Sequence, residues 1–302
     1  MPEATQPAAT KPRYYLEWLL FLGFSLLIRL LPMPLARGLL AGFFDLVGRL
    51  ITSQNRRMER SLQVAFPAQS ADWRRMRRRQ AWRNLGRSVA EVMKPRAGQN
   101  SSASAVRLQA EPELSAIRHD PRGTLLLSGH FGAWEAMAGF ADLLQRPFLI
   151  FYRPLENPRI DAELRRSRRR AGINLVSIHE PDAVRTAIRH LREGGVLCLF
   201  ADQRWARGEP LPLFGQPALT TLAAGLLQRA TDARVSMLVH RRTGEAKQPY
   251  EAVLEALPYD QQPEDGSRDR GRSIMTAFNG RLEDWVRAHP DSWFWMQDRW
   301  KP

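Results

Sequence analysis

The sequence predicts an α/β protein: a mixed sheet flanked by helices, preceded by a hydrophobic helical N-terminal segment that associates with membranes. Three observations carry the prediction. Beyond residue 120, short apolar runs of strand length alternate with stretches of helical periodicity. Residues 56–87 interleave arginines with apolar side chains at loosely helical intervals. The first fifty residues hold an uncharged apolar run and then an apolar stripe spaced at threes and fours.

The N-terminal elements come first. After a polar leader containing Pro and Ala, Trp18 to Ile28 carry no charge; Glu17 and Arg29 flank them, and Pro32 and Pro34 close the segment. A bilayer-spanning helix needs about 20 apolar residues, so this run alone is too short. With Glu17 and Arg29 snorkelling to opposite interfaces, Tyr14 to Leu31 becomes a marginal span. Leu35, Leu39, Phe43, Val47 and Leu50 then form a helical stripe suited to core packing or to lying on lipid. A membrane anchor, an interfacial helix pair and ordinary core all remain open. No small-residue cleavage site follows the run, which disfavours a signal peptide. Residues 1–52 are therefore expected to be leader and membrane-associating helices, and 53–302 the main domain.

Arg56, Arg57, Arg60, Arg74, Arg75, Arg77, Arg78, Arg79, Arg83 and Arg87 follow, with Trp73, Met76, Trp82, Leu85, Val89 and Met93 among them. Such helices can turn their arginines toward an anionic leaflet, where each contributes on the order of 1 kcal/mol. The expected strands are Thr124–Ser128, Phe148–Tyr152, Asn174–Ile178, Val196–Ala201, Val235–His240 and Glu251–Leu257. Helices are expected near 133–145, 160–171, 181–193, 217–231 and 271–288, the last with Ile274, Phe278, Leu282 and Trp285 on one face. Gln99–Ala103 and Gln261–Arg270 read as loops.

A chain of 302 residues with 44% hydrophobic residues can bury one substantial core, and its formal charge of +14 calls for anionic partners: lipid headgroups, phosphorylated glycolipid, an acidic carrier protein or nucleic acid. The single cysteine, Cys198, lies within an apolar run and forms no intrachain disulfide.

The chemistry is expected at His130-Phe131-Gly132-Ala133-Trp134-Glu135, directly after the first apolar run. Residues five apart in one helix point about 140° from each other, so His130 must sit in the turn before the helix for Glu135 to reach it. That position sets the imidazole beside the positive end of the helix dipole, which favours the neutral ring and lets it accept a proton. Asp202, at the end of another strand, could also reach it. Either Glu135 or Asp202 can orient the histidine.

Further blocks follow in order: Phe151-Tyr152-Arg153-Pro154 with Asn157-Pro158, then Arg168-Arg169-Arg170-Ala171-Gly172, Gly194-Gly195-Val196, Ala201-Asp202-Gln203, Leu213-Phe214-Gly215-Gln216-Pro217-Ala218, and Trp295-Met296-Gln297-Asp298-Arg299-Trp300-Lys301. In order and spacing they resemble the lipid A biosynthesis (late) acyltransferase family, within the lysophospholipid acyltransferases, over residues 13–302. The chain departs from the family pattern at Ala133, where asparagine is common, and at Gln297-Asp298, where many relatives have histidine.

The resemblance implies a glycerol-3-phosphate-acyltransferase-like fold and a membrane-associated O-acyltransferase. His130 and Glu135 would be catalytic, Glu135 being favoured as the orienting carboxylate. Arg153, Arg169, Asp202, Gln203, Phe214, Gly215 and Arg299 would contact substrate. Acyl carrier protein is the implied donor, a phosphorylated lipid A precursor the acceptor, and the cytoplasmic side of the bacterial inner membrane the location, with neither metal nor nucleotide cofactor. The oxyanion would be met by backbone N–H groups of the 130–133 turn or by Arg153. Phe214-Gly215-Gln216-Pro217 reads as a turn entering a helix, with Phe214 lining an acyl groove.

Three other readings fit less well. A serine hydrolase would need a Gly-x-Ser-x-Gly elbow, and the sequence has none. A zinc enzyme would need clustered ligands, whereas the six histidines are scattered. A nucleic-acid-binding protein fits the charge but lacks a recognition module. Acylation of another lysolipid, a lysophospholipid or an amino-acid lipid, would use the same residues.

Overall fold

The computed structural model describes residues 11–94, 104–109, 111–133, 136–170, 172–245, 248–261 and 266–300. It begins with four helices: α1 (Pro12–Leu30), α2 (Met33–Leu50), α3 (Thr52–Ala65) and α4 (Ala71–Met93). Prolines occupy the first turns of α1 and α2, where the missing N–H has no helical partner to lose. Ser70 caps α4 by accepting a hydrogen bond from the Trp73 N–H at 3.2 Å.

Helices α2 and α4 pack closely through small residues. A Cβ at Gly86 would run into the Leu40 carbonyl, and one at Gly48 into the Trp82 ring. The contact buries Ala36, Leu40 and Ala41. The stripe expected along α2 points the other way: Leu35, Leu39, Phe43 and Leu50 are exposed, as are Leu16, Leu19, Leu20, Leu26, Leu27 and Leu30 of α1. Core packing is thus not the role of that stripe. Among the described residues no helix is long and apolar enough to cross a membrane, so the marginal span over Tyr14–Leu31 is not met.

The sheet follows, built from β1 (Val106–Gln109), β2 (Thr124–Ser128), β3 (Phe148–Tyr152), β4 (Ile173–Ser177), β5 (Val196–Phe200), β8 (Arg234–Arg242) and β9 (Tyr250–Ala256), in the order β1-β9-β8-β2-β5-β3-β4. β8, β2, β5, β3 and β4 run parallel; β9 is antiparallel to β8 and parallel to β1. Every residue of the central β2 is buried. Because side chains alternate along a strand, Leu125 and Leu127 join Leu197, Val235 and Met237 on one face, against Ile274, Phe278 and Leu282 of α10 (Gly266–Ala288). Leu126, Cys198 and Leu238 face the other way, against Leu114 and Ile117 of α5 (Glu111–His119) and Met137, Phe140 and Leu144 of α6 (Ala136–Leu144). Helices α7 (Pro158–Arg170) and α8 (Ala183–Arg192) complete the crossovers.

Several expectations need correction. Residues 217–222 are not helical: β6 (Glu209–Leu213) and β7 (Gln216–Thr220) form an antiparallel hairpin, and the helix there, α9, spans Ala223–Thr231. Phe214 (φ 53) and Gly215 (φ 70) are its two loop residues, both left-handed, as a two-residue turn matched to strand twist requires. Phe214 carries the strain of that conformation while its ring is buried against Phe66 and Trp300. Residues 266–270, expected in a loop, form the first turn of α10; β1 and α5 were not anticipated. Residues 99–103 lie outside the described residues.

The arginines of α4 are less available than their density suggests. Arg74 and Arg78 both pair with Glu59, at 2.6 and 3.2 Å, and Arg79 pairs with the buried Asp45 at 2.8 Å. Arg77 donates to Gln80 at 2.7 Å and lies over the Trp73 ring. Three of these arginines, Arg74, Arg78 and Arg79, therefore lock α4 to α2 and α3.

Candidate active site

β2 ends at Ser128, whose hydroxyl donates to the Leu238 carbonyl at 2.8 Å. The chain leaves the sheet at Gly129, where a Cβ would stand 3.0 Å from the Phe131 ring and 3.3 Å from Asp202 Oδ2. The next residue is His130, in the irregular segment before α6. Because β5 is parallel to β2 and pairs with it in register, its end delivers Asp202 and Gln203 to the same sheet edge.

Asp202 holds His130 at two points. Its Oδ1 lies 2.7 Å from His130 Nδ1, and its Oδ2 accepts the His130 backbone N–H at 2.7 Å. Oδ2 also accepts the Trp293 indole N–H at 2.8 Å. The carboxylate is only 2% exposed. Burial pushes its pKa up, but the charge of His130 and the hydrogen bonds from His130 and Trp293 outweigh that and hold it below the ordinary aspartate value. A carboxylate at Nδ1 fixes that nitrogen as the N–H and leaves Nε2 as the acceptor. The Gln203 side-chain amide occupies that side, its nitrogen 3.0 Å from Nε2, where it can donate. Phe200 and Phe294 flank the ring with centroids 4.8 and 6.5 Å away.

The 130–133 turn is pinned from two sides. Gly132 N–H donates to Ser292 O, and Phe294 N–H to His130 O, both at 2.8 Å, so residues 292–294 run beside the turn like a short strand. From α4, the Ser88 hydroxyl donates to Gly132 O at 2.7 Å. Arg242 donates to Ser88 Oγ at 2.9 Å and forks onto the buried Glu91 at 2.9 and 2.8 Å. Phe131 N–H donates to Gly129 O, and Ala133 N–H to Phe131 O. All four backbone N–H groups of the turn are thereby engaged within the protein, so the expectation that they form an oxyanion site is not met.

The other expected residues distribute unevenly. Glu135 lies outside the described residues, which leaves Asp202 as the carboxylate seen to hold the ring. Arg153 is exposed just beyond β3, at the same sheet edge as His130. Arg169 is exposed at the end of α7, beside the start of β4 and hence at the opposite edge. Arg299 is buried, its guanidinium donating to Leu219 O and to Thr220 Oγ1 at 2.7 Å; burial lowers its pKa to about 10. It fastens the C-terminal turn to β7. Phe214 and Gly215 form the hairpin turn, with Phe214 in an aromatic cluster that runs through Phe66, Trp295 and Trp300 to Trp293. Ser88, Glu91, Arg242 and Trp293 were not anticipated in supporting roles. For Trp293 the signal available in the sequence was its place in the aromatic run Trp293-Phe294-Trp295 that leads into the terminal block.

The arrangement suits proton transfer: a partly exposed imidazole with one nitrogen fixed by a buried carboxylate and the other turned toward an accessible edge. Among the described residues no cluster of His, Cys, Asp or Glu could hold a metal ion. The model of the bacterial lipid A biosynthesis acyltransferases matches residues 3–302. The chain belongs to that family. It is similar to the lipid A biosynthesis lauroyltransferase of Escherichia coli (strain K12), with 25% identity over 97% of this chain and 94% of that protein. As a lipid A acyltransferase family member it is an enzyme that transfers acyl groups. Of the departures, Ala133 falls in the His130 turn, which its N–H closes, whereas the Gln297 carbonyl accepts from Ser61 Oγ of α3 at 3.4 Å.

Proposed function

We propose that this acyltransferase moves a fatty acyl chain from a thioester on acyl carrier protein to a hydroxyl of a lipid A precursor, with His130 as general base. The observation that carries the reading is the orientation of the ring: Nδ1 on the buried Asp202, Nε2 toward Gln203 at the accessible edge. The acceptor hydroxyl displaces the Gln203 amide, gives its proton to Nε2 and attacks the thioester carbon. The tetrahedral oxyanion collapses with cleavage of the C–S bond, and the departing thiolate takes the proton from the imidazolium. Asp202 stabilises that cation throughout. With the turn's backbone donors engaged, Arg153 and the freed Gln203 amide are the groups left to meet the oxyanion.

The exposed leucines of α1 and α2 support a location on the bacterial inner membrane, and the family's chemistry supports an active site on its cytoplasmic side. The test is mass spectrometry of lipids from cells carrying the wild-type protein, His130→Ala or neither. Lipid A lacking one acyl chain in the latter two is the expected result. Loss of a chain from a phospholipid or an amino-acid lipid instead would change the acceptor, and full acylation with His130→Ala would remove the base from the mechanism.

A further inference from the structure

We infer that Trp293 is a positioning residue for the catalytic pair, its indole N–H fixing the carboxylate that orients His130. The inference rests on the reading of His130 as base.

Three tryptophans close the chain, and a buried indole N–H needs an acceptor. Those of Trp295 and Trp300 donate to the backbone carbonyls of Pro290 and Leu213, as indoles held for packing do. That of Trp293, a residue 4% exposed, goes instead to Asp202 Oδ2 at 2.8 Å. Oδ2 thus accepts from two directions, the indole and the His130 backbone N–H, while Oδ1 meets the ring. With Oδ2 anchored by two donors, the carboxylate plane cannot rotate away from Nδ1. The hydrogen bonds from Gly132 N–H to Ser292 O and from Phe294 N–H to His130 O set Trp293 opposite Phe131, so the indole's height above the turn is fixed by backbone. The terminal aromatic block therefore supplies the pair with a third member.

The hydrogen bond also sets the strength of the pair. A donor on Oδ2 withdraws negative charge from the carboxylate and weakens its pull on the imidazolium. Without it, Asp202 is less firmly placed and more basic.

The experiment uses the full chain with two replacements at Trp293. Trp293→Phe removes the N–H, and site-specific 3-benzothienylalanine replaces it by sulfur while keeping the ring shape. The expected result for both is a fall in kcat of about tenfold with KM within about twofold, and an acid limb of the kcat/KM profile displaced upward by about half a pH unit. In the wild type, the 15N-labelled indole resonance of Trp293 should move across the acid limb of the activity profile. If both replacements keep kcat within about twofold and leave the acid limb in place, Trp293 only packs and the inference is wrong, whatever happens to the melting temperature. His130→Ala is measured alongside: if it keeps turnover, the base reading falls and the inference falls with it.

Discussion

Asp202 grips His130 by ring and backbone together, Oδ1 on Nδ1 and Oδ2 on the residue's own N–H, each at 2.7 Å. A single carboxylate thereby sets both the rotation of the imidazole and the path of the turn that carries it. Asp202→Asn keeps the volume, but its side-chain NH₂ cannot accept a hydrogen bond, so one of the two contacts is lost. It should reduce turnover by about 10²–10⁴-fold, close to the effect of His130→Ala, because the ring loses the partner that sets its tautomer. Glu135→Gln should cost less. Parallel turnover assays of the three variants decide the matter, and a larger loss at Glu135 would return the orienting role to that residue.

His240 lies fully buried in β8 with its ring edge-on to Phe131, at a centroid distance of 5.3 Å. Burial, with Arg242 and His130 nearby, lowers its pKa to about 3. In the unfolded chain the same ring takes up its proton near pH 6.5. The stability carried by the neutral ring is therefore complete above about pH 6.5 and is lost as pH falls toward 3, by at most about 1.4 kcal/mol per unit. Between pH 7 and pH 5 this amounts to about 2 kcal/mol. Chemical denaturation of wild type and His240→Met at those two pH values should show a smaller acid loss in the variant.

What could be read in the sequence, and what could not, follows from the range of the forces involved. The parallel strands β2, β3 and β5 were legible because a strand buried on both faces is a continuous apolar run. The hairpin β6–β7 was hidden: Glu209-Pro210-Leu211-Pro212-Leu213 has two prolines, and the turn puts a phenylalanine where glycine or asparagine is usual. His130 stood out because its motif is local. Its pairing with Asp202 depends on the registered adjacency of β2 and β5, and the bond from Trp293 to Asp202 arises across 91 positions, neither of which leaves a periodic trace. The arginines of α4 read as a solvated, lipid-facing set because their partners Glu59 and Asp45 lie on other helices.

Those pairings divide the arginines into two groups. Arg75, with 68% of its side chain exposed and its contact to Asp72 a loose 3.4 Å, and the exposed Arg56 and Arg57 should act through the surface field. Their reversal to glutamate should weaken binding to anionic vesicles and reduce its salt sensitivity at an unchanged melting temperature. Reversal of Arg74 or Arg78 should lower the melting temperature as well, since it turns the contact with Glu59 repulsive.

The outer face of α1 should contribute to membrane binding independently of charge. Leu19, Leu20 and Leu27 are 57–64% exposed and α1 buries only Tyr14, Ser25 and Ile28 among its residues, so the triple change to serine removes apolar surface that the fold does not use. Sedimentation with vesicles should show affinity falling by at least about tenfold. Cooperative melting in detergent should be retained. A collapsed melt would mean that these leucines belong to the fold.

Arg153 offers the sharpest separation of charge from geometry. It stands exposed beyond β3, whose neighbour β5 delivers Asp202, and among the described residues it makes no ion pair. A cation held in reserve at the catalytic edge, with the turn's backbone N–H groups already engaged, suits a substrate phosphate or the developing oxyanion. Arg153→Lys keeps the charge and loses the planar fork, while Arg153→Ala loses both. If the fork matters, both variants lose turnover, lysine by about tenfold and alanine by more, with vesicle binding unchanged. If the charge alone matters, lysine retains most of the rate and alanine does not. Equal and undiminished turnover in both would leave the Gln203 amide as the group that meets the oxyanion, and Gln203→Ala would then carry the loss.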